Sequence, residues 1–168
     1  EGRAGYIFQT IPFLEYSNHQ YKAMKNAYAG HLKYSFQLRP HTVADQAYIG
    51  AYQGIGVGYF NFGNPEELGN PLAVYLFQGG RIAQFSPRIS LNYEWNFGAS
   101  FGWKPYDEYD NPENQIIGSK VNAYLNVNLY LKWALSPKFD LMIGATGSHF
   151  SNGNTQYPNS GLNTVDCK

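Results

Sequence analysis

Long apolar runs are missing from this sequence. Nowhere do about 18 or more apolar residues follow one another, so length alone excludes a transmembrane helix. Any membrane reading must therefore be a β one. Charge is scarce too: only 14% of residues are charged, and 12 Lys and Arg against 12 Asp and Glu give a formal net charge of zero. No Lys/Arg cluster is present that would neutralise a phosphate backbone, so nucleic acid is not an expected partner. Cysteine is reduced to Cys167, which can form no internal disulfide, and no Cys/His group has the spacing of zinc ligands. A basic-then-apolar leader is also lacking ahead of Glu1, which fits a processed, secreted chain.

Tyrosine (15), glycine (18) and aromatic residues in general (17%) are abundant, a composition that suits β-structure with aromatic girdles and close strand packing. The 168 residues suffice for one domain, spanning 1–168. Period-2 alternation supplies the strands, because successive side chains of a strand point to opposite faces. The odd positions Ile89, Leu91, Tyr93, Trp95, Phe97, Ala99, Phe101 and Trp103 are apolar, against Ser, Asn, Glu and Gly between them. Val121 to Trp133 repeats the pattern with Asn122, Asn126 and Asn128 on the even face. Phe139, Leu141, Ile143 and Ala145 begin a third such stretch.

Weaker strands are read at His31 to Arg39, Gly54 to Phe62 and Leu72 to Phe77, the last apolar on both faces and undecided in orientation. Arg3 to Ile11 and Leu162 to Lys168 complete eight. Several exceed ordinary strand length and approach the roughly 9–11 tilted residues that cross a bilayer. The expected fold is all-β: an eight-stranded antiparallel up-and-down transmembrane β-barrel whose last strand is short or truncated. A soluble antiparallel sandwich also alternates and is the competing fold. The connections Pro12 to Tyr28, Gly63 to Asn70, Lys104 to Ile117 and Asn152 to Gly161 are expected outside. The Ser136-Pro137-Lys138 turn and the longer Pro40 to Ile49 and Gly80 to Pro87 segments are expected inside.

One segment gathers a nucleophile, a base and oxyanion donors: Gly147-Ser148-His149-Phe150-Ser151-Asn152-Gly153. His149 and Ser151 are two apart, so an extended strand projects both from one face, where imidazole could take the hydroxyl proton. Asn152 and the Gly153 N–H follow where a tetrahedral oxyanion would need donors. Both site residues are odd-numbered, in phase with Phe139 to Ala145. An unbroken strand therefore puts them on the lipid-facing wall at its outer end, where an unneeded His/Ser pair would be costly. The competing reading is that the strand simply ends here and these are turn residues.

His149-Phe150-Ser151-Asn152-Gly153, followed by Pro158-Asn159-Ser160-Gly161-Leu162-Asn163, resembles the signature of outer-membrane lipid A 3-O-deacylases, the PagL-like acyloxyacyl hydrolase family. Ala73-Val74-Tyr75-Leu76-Phe77-Gln78 and Tyr93-Glu94-Trp95-Asn96-Phe97-Gly98 look like the form seen in Bacteroidetes-type members. The resemblance implies an eight-stranded outer-membrane barrel, with no metal or cofactor, that hydrolyses the ester-linked acyl chain at the 3 position of the lipid A of lipopolysaccharide. His149 matches the general base, Ser151 the nucleophile and Asn152 the position tied to the oxyanion hole. A family glutamate that orients the histidine aligns with Asn163. An amide can accept from the imidazole but cannot stabilise imidazolium as a carboxylate does. Asp166 lies three residues on and falls on the opposite face of a regular strand.

A non-catalytic barrel that binds lipid or a protein partner is the alternative. Only seven residues follow Gly161, so the natural chain is expected to continue past Lys168. Glu66-Glu67 reads as a turn, the acidic run Asp107, Glu108, Asp110 and Glu113 as a solvated loop, and His19, His31 and His41 as structural or exposed.

Overall fold

A computed structural model describes residues 1–37 and 50–168. Eight antiparallel strands form a closed ring: β1 Gly2–Ile7, β2 Asn26–Gln37, β3 Tyr52–Asn61, β4 Gly69–Ser86, β5 Ile89–Trp103, β6 Val121–Ser136, β7 Phe139–Ser151 and β8 Leu162–Cys167. Each strand pairs with its sequence neighbours, and β8 pairs with both β7 and β1, so six residues close the ring at its loop end, while among the described residues Phe139–Ile143 of β7 and Leu32–Gln37 of β2 pair on one side only. A short helical turn, α1 Pro12–Glu15, lies in the β1–β2 connection. The end of the expected His31 to Arg39 strand, and the Pro40 to Ile49 connection, lie outside the described residues.

The remaining connections sort by length. At one end β4 turns into β5 through Pro87-Arg88, and β6 into β7 through Pro137-Lys138. The two turns share one device. Ser86 Oγ accepts the backbone N–H groups of Arg88 (3.3 Å) and Ile89 (3.1 Å), and Ser136 Oγ accepts those of Lys138 (3.3 Å) and Phe139 (3.2 Å). The Gly80 to Pro87 connection expected from sequence is therefore mostly strand, and β4 runs through it with small register shifts. At the other end lie the long connections, as in outer-membrane barrels with short periplasmic turns and long external loops.

The wall alternates as the periodicity requires. Ile143 and Val127 are 64% and 66% exposed, whereas Asn126 and Asn128 are 3% and 1% exposed and point into the lumen. In β4 the undecided residues resolve, with Leu72, Val74 and Leu76 outward and Ala73, Tyr75 and Phe77 inward. The odd face of β5 is outward only as far as Phe101. Gly102 adopts φ +87, which reverses the next side chain, so Trp103 is turned inward rather than to lipid. There it stacks on Phe62 at 5.6 Å, and its indole N–H donates to Ser100 Oγ at 2.8 Å.

The lumen is filled in two tiers. Beneath the long loops, Phe60, Phe62, Trp103, Tyr124 and Phe150 pack at ring separations of 5.0–6.1 Å. Further from the loops lies a charged network in which Lys33 Nζ meets Glu94 Oε1 at 2.5 Å and Glu1 Oε2 at 3.0 Å, and Arg3 Nε meets Glu1 Oε1 at 2.6 Å. Tyr52 donates to Glu94 Oε2 at 3.0 Å. His31 is buried in this lumen, with its Nδ1 2.9 Å from the Tyr75 hydroxyl. A packed interior leaves the outer wall and the loop end as the surfaces where chemistry can occur.

Candidate active site

β7 runs from Phe139 to Ser151 without a bulge beyond its first pair with β6, so its phase is kept to the end. His149 and Ser151 thus stand on the outward face with Ala145 and Ile143, half-buried, while Ser148, Phe150 and Asn152 point inward and are buried. Pairing lines up Leu125 of β6, His149 and Asn163 of β8 in one transverse row of the wall. His149 Nδ1 lies 2.8 Å from Asn163 Oδ1. An amide oxygen can only accept, so Nδ1 is the donor, and in the neutral imidazole this tautomer leaves the Nε2 lone pair free, the form a general base needs. Asp166 faces the lumen, where its Oδ2 accepts from Thr164 Oγ1 at 2.9 Å, and does not reach this row.

Ser151 ends the strand one row above, opposite Ala123. Among the described residues no hydrogen bond joins its hydroxyl to His149. Such bonds are often long before substrate arrives.

The following loop explains the Pro-Asn-x-Gly pattern. Asn159 Oδ1 accepts the Asn152 N–H at 2.9 Å, Asn152 Nδ2 donates to Gln156 O at 2.6 Å, and Thr155 Oγ1 donates to Asn152 O at 2.9 Å. The donors of Asn152 are therefore engaged in shaping the turn. Gly153, at φ +65 and exposed, keeps a backbone N–H that has no partner among the described residues. Gly161 sits against the imidazole: a Cβ there would come within 2.9 Å of His149 Cε1, and its φ of +72 also favours glycine. Sequence reasoning noticed Asn159 and Gly161 as pattern but gave them no role.

Below His149 the outer wall carries a groove of about 440 Å³, walled by Phe8, Leu125, Val127 and Val165, with Gly147 in its floor and His149 and Asn163 at its head. Sequence reasoning missed it, because its walls come from strands distant in sequence. Of the acidic residues singled out elsewhere, Glu67 and Asp107 hold loop backbone, and Glu66, Glu108, Asp110 and Glu113 are exposed. Glu67 is buried and its Oε2 accepts from the His19 N–H and Asn64 Nδ2, tying two external loops together. Asp107 accepts the N–H groups of Tyr109 and Asp110, which holds its carboxyl below the usual range.

A crystal structure described as that of the outer membrane enzyme PagL superposes with a TM-score of 0.66, covering 99% of this chain and 93% of that one. At 14% identity the likeness establishes the fold. No curated protein sequence matches. The family model of lipid A 3-O-deacylase (PagL) matches residues 71–167, which run from the third residue of β4 to the end of β8 and include every residue of the His149 row, and the chain belongs to that family.

Proposed function

We propose that this barrel is an outer-membrane esterase that removes an ester-linked acyl chain from the lipid A of lipopolysaccharide, with Ser151 as nucleophile, His149 as general base and Asn163 as the group that orients His149. The observation that carries the reading is the 2.8 Å contact between His149 Nδ1 and Asn163 Oδ1 on the outward wall, which leaves Nε2 as the ring nitrogen that can accept a proton. A Ser/His pair has no packing purpose on such a face.

In this reading Ser151 Oγ attacks the ester carbonyl carbon while His149 Nε2 takes the hydroxyl proton. The Gly153 N–H donates to the oxyanion, and Asn152 holds that N–H in place through its bonds within the turn. Collapse of the tetrahedral intermediate expels the sugar oxygen, which takes the proton from Nε2. Water then repeats the sequence on the acyl-serine and frees the fatty acid. Histidine–asparagine pairing serves the same end in papain-like proteases. Here it supplies the tautomer but less stabilisation of imidazolium than a carboxylate would.

Incubating the protein in detergent with purified lipopolysaccharide and weighing the lipid A by mass spectrometry tests the proposal. Loss of one 3-hydroxyacyl chain is expected. Intact lipid A recovered with folded protein would instead support a non-catalytic lipid-binding barrel, a reading favoured by Asn163 standing where the family has an acid.

A further inference from the structure

The groove beneath His149 extends the ester-hydrolase reading, on which the assignment of its floor depends: we infer that Gly147 is a specificity-determining residue, keeping open a slot through which the acyl chain of the scissile ester runs down β7 from His149 towards Ile143. Gly147 pairs with Val127 on one side and Val165 on the other, one row below His149. Neither packing nor backbone conformation demands a glycine there. A Cβ at Gly147 would meet nothing closer than Thr164 O at 4.0 Å, and its φ is not positive. Gly144 on the same strand is the contrast, because a Cβ there would lie 2.3 Å from Leu129 O. Glycine in a strand interior weakens the strand, and an outward one that no neighbour requires leaves the wall open for a ligand; Gly30 in β2 is equally unrequired, and what distinguishes Gly147 is its place in the groove directly below His149.

The slot has a head, walls and an end. His149 and Asn163 stand at the head and Leu125, Val127 and Val165 form the walls of the groove; past its end, Ala145 is the next outward residue of β7, in register with Leu129 and Cys167, and its small side chain would let the slot continue. From His149 to Ala145 the strand covers about 13 Å. Ile143, 64% exposed, then fills the path with a branched side chain. Another groove of the outer wall, about 320 Å³ between Leu32, Ile55 and Val74, is apolar too but has no nucleophile or base at its head. Continuity with His149, whose proposed partner Ser151 stands one row above on the same face, is what commits the first groove to the acyl chain of the ester being cut.

Two readouts separate the slot from the chemistry. In the first, kcat/KM is measured for a long-chain and a short-chain ester with wild type, Gly147→Ala and Gly147→Leu, keeping only variants that show the heat-modifiable mobility of a folded barrel. The preference for the long chain should fall at least about tenfold in Gly147→Leu, the scale of losing contact with a methylene or two, with Gly147→Ala between. In the second, Ser151→Ala protein is illuminated with a lipid A analogue whose 3-acyl chain ends in a diazirine. The adduct should fall on the tryptic peptides carrying Val127 or Val165 and disappear when Gly147→Leu is added. An unchanged preference in active protein, or an adduct elsewhere on the barrel, overturns the slot while hydrolysis stands. An adduct in the groove of a protein that cuts no ester supports the slot and overturns the hydrolase reading.

Discussion

Replacing Ser151 by alanine is expected to reduce release of the 3-hydroxyacyl chain from lipopolysaccharide by at least about 10³-fold, the order that removal of a nucleophile costs when a base and an oxyanion donor remain. In the proposed mechanism the Ser151 hydroxyl forms the acyl-enzyme bond; of the other hydroxyl side chains lining the groove, Ser148 and Thr164 point into the lumen and Thr10 belongs to the β1–β2 connection rather than to the strand that carries His149. His149→Ala should cost a similar factor and the double variant no more than either single one, because nucleophile and base act as a unit. Neither change touches the core, since both side chains are half-buried on the wall, so the heat-modifiable mobility of the barrel should be unaltered. Retention of more than about one tenth of wild-type release by Ser151→Ala would remove Ser151 from the mechanism.

The second large effect lies inside the barrel. Glu94 is 4% exposed and accepts from Lys33 Nζ at 2.5 Å, Tyr52 OH at 3.0 Å and Asn128 Nδ2 at 3.3 Å. Glu94→Leu leaves the Lys33 ammonium in the lumen with only Glu1, which Arg3 already engages, for a carboxylate, while Tyr52 and Asn128 each lose one bond but keep Tyr130 OH and Asn126 Oδ1. Breaking a buried pair from one side costs about 3–5 kcal/mol. For a chain of this size that corresponds to a midpoint lower by roughly 10 °C, measured as the temperature at which the compact gel band is lost. The penalty comes from the excess positive charge that Arg3 and Lys33 then share on one carboxylate rather than from loss of the pair itself, so adding Lys33→Met should recover more than half of it. A single-variant midpoint within about 2 °C of wild type would show that the network contributes little to the fold.

How far the sequence foretold this structure depended on where each signal resides. Alternation along β5, β6 and β7 is local, so the outward phase of Leu125, Ile143 and His149 was legible from residue parity alone. The limits came where a single residue changes phase or where the partner is remote. Gly102 reverses the direction of Trp103, and a strand-period reading has no means of anticipating a positive φ without the register of β4 opposite it. The Pro87-Arg88 turn was hidden by Gly79-Gly80, which look like a turn but lie within β4. The repeat of Ser-Pro-basic at Ser86 and Ser136 was the signal that would have found it.

The site divides in the same way. His149 and Ser151 are separated by one residue, and their shared face follows from strand geometry. The position of Asn163 opposite His149 follows from pairing between β7 and β8, which family resemblance indicated and periodicity could not. Gly147 and Gly161 carry no chemical group, so no scan for nucleophiles, acids or metal ligands selects them. Their part emerges only when the distance to a missing Cβ is known: open space beside Gly147, and an imidazole edge beside Gly161.

An activated serine hydroxyl opening onto the lipid phase is the central claim, and a fluorophosphonate carrying an alkyl chain tests it most directly, since such probes react with a serine only where a base has prepared it. Mixed with the detergent-solubilised protein, the probe is expected to add once, on Ser151, and not at all when His149 is replaced by alanine. A folded barrel that stays unmodified, or that takes the probe on another serine with His149 absent, would contradict it.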